Sequence, residues 1–201
     1  DQIMTGLVNF YVLGKQINRG KEFILRQVED KFDALFKFTK KVSSKGYKSE
    51  SLELIKLTES YNVGPSKVER LADLRLFQYK FYKQFNDKDQ MFEVASAIVS
   101  LKLNEAQNKE ATIVISEEVG IQQQIIKSEF SKHDLSYKPS TLNRILGYFR
   151  LLQRINQKEK SKYLFYSAET LYSVHEFKRA LTEYKSAIKE DLVLKSKVDL
   201  R

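Results

Sequence analysis

The sequence has no cysteine and no tryptophan, only two prolines, and seven glycines in 201 residues. Without cysteine there can be no disulfide, no thiolate zinc site and no cysteine nucleophile. So few glycines and prolines exclude a turn-rich all-β protein. Histidine is scarce too: His133 and His175 stand 42 positions apart with no second ligand at metal-binding spacing, so no metal site is expected. Long apolar runs are missing. The most apolar short stretch, Leu7 to Leu13, is interrupted by Asn9, far short of the ~18 residues a bilayer span needs. No charged-then-apolar leader with a small-residue cleavage site is visible. Zero cysteine suits a periplasm as well as a cytoplasm, so the sequence leaves the compartment open.

What is present is a globular, basic composition. Hydrophobic residues make up 42%, and 13 Phe plus 11 Tyr supply large rings for a core. That excludes a disordered chain. The net charge of +9 is carried by 26 Lys against 9 Arg. It is spread over both halves, +4 in residues 1–100 and +5 in residues 101–201. Lysine is a point charge on a flexible stem, whereas arginine is the fork that reads phosphate and guanine bidentately. The spread favours solvated helix faces over a dedicated nucleic-acid surface. Usage leaning to Lys, Ile, Asn and Phe is that of an AT-rich genome and points to a bacterial source.

Apolar residues recur at three and four almost throughout, which predicts helices. A first helix is expected over about 2–18, with Gly20 separating it from a long second helix over about 21–43 and Gly46 as its stop. A third helix, about 49–61, ends at Gly64-Pro65. Ser66 to Glu69 reads as a capping box that opens a fourth. A fifth resumes near Gln90. Residues 104–120 contain the β-branched run Ala111 to Ile115, open between a helix, an irregular segment and a short strand. Residues 131–140 read as a loop closed by Pro139, with Ser140 as the N-cap of a helix through Ile155. Gly147 inside that helix suggests a close approach of another. The 131–140 loop is the best boundary candidate, dividing a helical domain 1–130 from a helical segment 140–201, or joining them as one domain.

Residues 161–191 pair two helices around a turn at Ser173 to Glu176. Leu164, Ala168 and Leu171 take the inward positions of the first, and Phe177, Ala180, Tyr184 and Ala187 those of the second. Small alanines let two antiparallel helices approach while the rings fill the gaps. This spacing resembles a tetratricopeptide repeat, a helix–turn–helix unit of about 34 residues. His175 stands where the family often has Gly, and Leu192 where Pro is common. The likeness covers about one sixth of the chain, with a fainter echo at Phe92, Ala95 and Val99 after a helix containing Tyr79 and Tyr82. One unit cannot bury its own faces, so the preceding helices are expected to stack as divergent hairpins. The expected fold is all-α, with a tetratricopeptide-like solenoid at the C-terminal end. Leu192, Leu194 and Val198 read as the opening of a further helix, either the next unit of a longer array or a final solvating helix.

The resemblance implies a groove lined by the first helix of each unit and gripping a peptide or helix of another protein. Carried onto this chain, its positions are Lys162, Phe165, Glu169, Tyr172 and Ser173. Repeats of this family that clamp chaperone carboxylates use Lys and Asn there. Phe165 and Glu169 take two of those places, which argues against clamping and favours an apolar or mixed contact anchored by Phe165 and Tyr172.

Catalytic motifs are lacking. No Gly-rich phosphate loop and no Gly-x-Ser-x-Gly elbow occurs. Acidic pairs such as Glu117-Glu118 are adjacent and diverge on a helix. The strongest charge cluster is 138–162, with seven cations against Glu159. It includes Arg144, Arg150, Arg154, Lys158 and Lys160. The sequence therefore points to a non-catalytic scaffold or adaptor within a larger bacterial assembly. It needs no cofactor and binds another protein. A nucleic-acid-binding helical domain using the 138–162 cluster is the alternative.

Overall fold

The computed structural model describes residues 2–132 and 136–198, with side chains described for 5–131 and 136–192. Among the described residues there are ten α-helices, one 3-10 turn and no strand. The helices are α1 (Gln2–Leu13), α2 (Ile17–Gln27), α3 (Lys31–Ser44), α4 (Lys48–Ser60), α5 (Lys67–Gln84), α6 (Lys88–Val99), α7 (Glu105–Lys132), α8 (Pro139–Ile155), α9 (Lys160–Ser173) and α10 (Phe177–Val198). The 3-10 turn is Gln157–Glu159, between α8 and α9. The all-α class read from the sequence is what the chain adopts. Two compact units divide it, Asp1–Val94 and Ala95–Arg201. The division falls within α6, whereas the expected boundary at 131–140 lies inside the second unit, where α7 runs to Lys132 and α8 begins at Pro139.

One turn geometry recurs four times. Gly14–Gln16, Lys45–Tyr47, Phe85–Asp87 and Val174–Glu176 each join two helices through three residues. In each the middle residue is left-handed: Lys15 at φ 54°, Gly46 at 81°, Asn86 at 54° and His175 at 61°. Its N–H donates to the carbonyl three residues back, on Val12, Ser43, Lys83 and Tyr172, at 2.9–3.2 Å. In three of the four the next N–H reaches further, from Gln16 to Tyr11, Asp87 to Tyr82 and Glu176 to Leu171. That pair of bonds is the Schellman motif, which satisfies the last carbonyls of a helix and reverses the chain. The residue five past the left-handed one is buried every time: Gly20, Ser51, Met91 and Ala180. Three of these are small, as a close antiparallel approach requires.

Several sequence expectations are corrected. The helix expected over 21–43 is two helices, α2 and α3, broken at Val28 to Asp30. Asp30 forces the break. Its carboxylate accepts the Asp33 N–H at 3.1 Å and caps α3, and it also receives Arg70 at 2.5 Å. Gly20 is not a separator. It lies buried within α2, where an added Cβ would come 2.7 Å from the Phe38 Cζ and 2.9 Å from the Tyr11 Cβ. The capping box does not form. Ser66 holds the N-cap position of α5, but ψ of 14° turns its hydroxyl away from the helix amides and it makes no cap bond. Ser140 is not an N-cap. Pro139 opens α8 because its ring presets the helical φ and it has no N–H to leave unpaired. The run Ala111 to Ile115 is helical: Ala111, Val114 and Ile115 are buried and Ile113 is exposed, a three–four pattern. Leu192 onward opens no new helix and extends α10.

In the first unit, Val12, Ile24, Leu35, Phe38 and Leu54 form one apolar cluster, and Phe32, Phe36, Ile55, Leu74 and Phe81 another. Burying each such side chain is worth about 1.5–3 kcal/mol. In the second unit Ile115, Ile126, Ile145, Leu152, Leu164 and Leu171 are buried. This core fixes α7, α8 and α9 against one another.

Candidate functional site: a cleft between α7, α8 and α9

α10 packs most extensively against α9. Leu164, Ala168, Leu171, Ala180 and Ala187 are buried, as their spacing predicts. Two expected inward positions differ. Phe177 is exposed, because it lies on the same uncovered face of α10 as Leu181 and Ile188; its ring stacks on His175 at 5.2 Å and meets Tyr172 edge-on at 5.3 Å. Tyr184 is half-buried and turns its ring to Phe165. The His175 imidazole also meets Phe130 of α7 edge-on at 4.9 Å, so the left-handed turn residue is held by rings on two sides.

The five groove positions read from the sequence share the less buried arc of α9 but not one surface. Lys162 faces α7. Phe165 lies edge-on to Tyr184, 5.7 Å between centroids, and Glu169 accepts a hydrogen bond from the Tyr184 hydroxyl, so both turn toward α10. Tyr172 is exposed beside Phe177. Ser173 is half-buried, its hydroxyl donating to the Thr170 carbonyl at 2.8 Å.

Lys162 instead lines a cleft of about 590 Å³ with Tyr163 and Tyr166 of α9. Phe149 and Leu152 of α8 contribute to its lining, and Thr112, Ile113, Glu117 and Gly120 of α7 form the facing wall. A Cβ on Gly120 would meet nothing within 4 Å, so the α7 backbone is open to a ligand there. The Gln123 side-chain amide donates to the Thr170 hydroxyl at 2.6 Å, tying α7 to α9 along the cleft. The Tyr163 hydroxyl donates to Glu159 at 3.1 Å. Burial, reinforced by that bond and by the Glu159 charge, pushes the Tyr163 phenol up to about 12. The cleft thus joins apolar rings and aliphatic groups to a few fixed polar groups. Sequence reasoning missed the α7 wall because residues 104–120 had no assigned element.

The basic cluster disperses. Arg154 and Lys158 line a depression of about 810 Å³ together with Lys109 of α7 and the polar side chains of Asn108 and Asn156. Thr112 and Ile113 border both this depression and the cleft, so the two are neighbours along α7. Among the described residues none of Lys109, Arg154 and Lys158 is ion-paired. Glu105 is the one acidic lining residue. Lys160 is elsewhere, paired with Glu190 at 2.5 Å. Arg150 is exposed one turn before Arg154, and Arg144 is half-buried. Arg144 and Arg154 stand roughly 15 Å apart along α8, too far to grip one small anion.

Among the described residues no group of three or more His, Asp or Glu could hold a metal ion, and no helix is long and apolar enough to cross a membrane. His133 lies outside the described residues. Comparison with protein-family models, with curated proteins and with solved structures returns no match.

Proposed function

We propose that this chain is a non-catalytic helical-repeat scaffold of tetratricopeptide type, acting within a larger bacterial assembly. In this reading a peptide or helix of a partner protein sits in the α7–α8–α9 cleft. One observation carries it: the walls of the cleft come from α7 and α9, the first helices of two successive helix pairs. That is the position in which a solenoid of helical hairpins presents its groove. The recurrence of one left-handed three-residue turn in four helix pairs, three of them with both Schellman bonds, supports a repeat origin for more of the chain than residues 161–191. Within the cleft Tyr166, Ile113 and Lys162 are the contact residues, replacing the Phe165 and Tyr172 anchors read from the sequence. The experiment is photo-crosslinking in native cells with p-benzoylphenylalanine in place of Tyr166, compared with the same substitution of Arg150. A defined protein adduct at 166, resistant to nuclease and lost with Ile113→Lys, is expected. Equal labelling at both sites overturns the cleft assignment.

A second reading is favoured by Lys109, Arg154 and Lys158 in the adjoining depression, three cations without an ion-pair partner among the described residues. They would hold a nucleic-acid backbone. Three phosphate contacts imply a log–log salt slope of about −3 on duplex DNA, and a flat response removes this reading.

A further inference from the structure

α10 carries a second apolar surface, apart from the cleft. Phe177, Leu181, Ile188 and Leu192 are 53–62% exposed. With Tyr184 they recur at four, three, four and four, which is one stripe along one helix face. Phe165 and Tyr172 of α9 widen it at one edge. Ala180 and Ala187, buried, lie about 80° round the helix to one side of this stripe. Lys178, Lys185 and Lys189 lie about 80° round to the other. All three lysines are exposed, and none of their ammonium groups is paired among the described residues. No acidic residue stands three or four positions from any of them within the chain's own α10 register.

The charges decide between occupants. A second copy packed antiparallel on α10 around a two-fold axis is disfavoured. In that antiparallel arrangement like flanks meet like flanks, and the three lysines would face their own copies. An anionic membrane would suit the lysines, but Glu169 sits between Phe165 and Tyr172 at the edge of the apolar surface, and inserting a carboxylate into lipid is costly. A partner helix with its own apolar stripe and carboxylates on the flank facing the lysines matches both features: apolar against apolar and carboxylate against lysine, with Glu169 left to Tyr184. We propose that α10, with Phe165 and Tyr172, is a second docking surface whose occupant is an acidic amphipathic helix of a different protein.

The test uses the full chain and two fluorescein-labelled 18-residue helical peptides, both with leucines at three–four spacing. One is flanked by glutamates and the other by lysines. By anisotropy at physiological salt the glutamate peptide should bind about tenfold or more tightly than the lysine peptide. Lys178→Glu/Lys185→Glu/Lys189→Glu should invert that preference. Leu181→Glu/Ile188→Glu should abolish binding of both, whereas Ile113→Ala on the α7 wall of the cleft should leave it unchanged. Equal binding of the two peptides, or none, overturns the proposal, and so does loss on Ile113→Ala alone. The proposal is also overturned if the unmodified chain sediments as a dimer that Leu181→Glu/Ile188→Glu dissociates. It is likewise overturned if the chain co-sediments with phosphatidylserine–phosphatidylcholine vesicles through those same residues. The lysine triple variant, altered only on the solvated flank, keeps the test decisive if the stripe variant does not fold.

Discussion

The Tyr184 hydroxyl donates a hydrogen bond to the Glu169 carboxylate, linking α10 to α9 at the edge of the exposed aromatic surface. Two residues that a linear reading places in different roles, a packing tyrosine and a groove carboxylate, are partners. The bond turns Glu169 toward α10 and leaves Lys162 and Tyr166 to face α7.

That contact has a pH signature. Burial, then the bond to Glu169 and its charge, push the Tyr184 phenol up to about 12, and Tyr163 is pushed equally far by burial and Glu159. A phenol whose folded pKa lies above its unfolded value of about 10 stabilises the fold below pH 10. Its contribution is lost as pH rises from about 10 to about 12, because the unfolded chain releases the proton first. Absorbance titration near 295 nm should show a late phenolate phase. Tyr163→Phe and Tyr184→Phe should each diminish that phase, and Glu169→Gln should move the Tyr184 part of it to lower pH. A single phase near pH 10 in the native protein would contradict this.

Gly20→Ala should destabilise the first unit. Alanine is the better helix former by about 1 kcal/mol, but its methyl would meet the fully buried Phe38 ring at 2.7 Å and the Tyr11 Cβ at 2.9 Å. Overpacking of this kind costs about 1–3 kcal/mol, so the clash outweighs the propensity gain. Urea unfolding should show a lower midpoint, and Phe38→Leu in the same chain should recover part of the loss that Gly20→Ala adds.

The left-handed turn positions should respond in opposite directions. Gly46, at φ 81° with open space around a Cβ, has only conformational cost to add, and Gly46→Ala should destabilise by about 1 kcal/mol. Lys15, exposed at φ 54°, carries that cost already, and Lys15→Gly should stabilise by about 0.5–1 kcal/mol. His175→Gly should gain less, because it gives up the ring contacts to Phe130 and Phe177. Thermal melts of the three variants check the order.

Asp30→Ala should destabilise by about 1 kcal/mol through loss of the α3 cap, while Asp30→Asn, which keeps an acceptor, should cost less. The Asp33 N–H, opposed by partial burial and aided by Arg70, holds the Asp30 carboxyl below its usual 3.8. Its contribution is therefore complete above pH 3.8 and lost as pH falls below it. The stability difference between wild type and Asp30→Ala should narrow in that acid range.

The fold class was legible because helical periodicity is a local property. Leu164, Ala168, Leu171, Ala180 and Ala187 are buried where their spacing puts them. The signals that failed are ones whose meaning depends on distant residues. Val28 to Asp30 sits inside an unbroken apolar pattern, yet Arg70, forty positions on, favours Asp30 as a cap. Gly20 looks like punctuation and is a packing residue, because Phe38 and Tyr11 leave no room for a side chain. The Ser66–Glu69 box has the right letters but not the extended backbone that lets a hydroxyl reach the helix amides.

By itself the sequence determined that this chain is helical, basic, free of thiol chemistry and built from antiparallel pairs. Each of these follows from composition or from contacts within a few residues. Only the tertiary structure decided which faces remain open. It brought α7 beside α9 to form a cleft, set Lys109 beside Arg154 and Lys158, and left the stripe from Phe177 to Leu192 uncovered. Exposure is set by what packs against a residue from elsewhere in the chain, and periodicity carries no record of that.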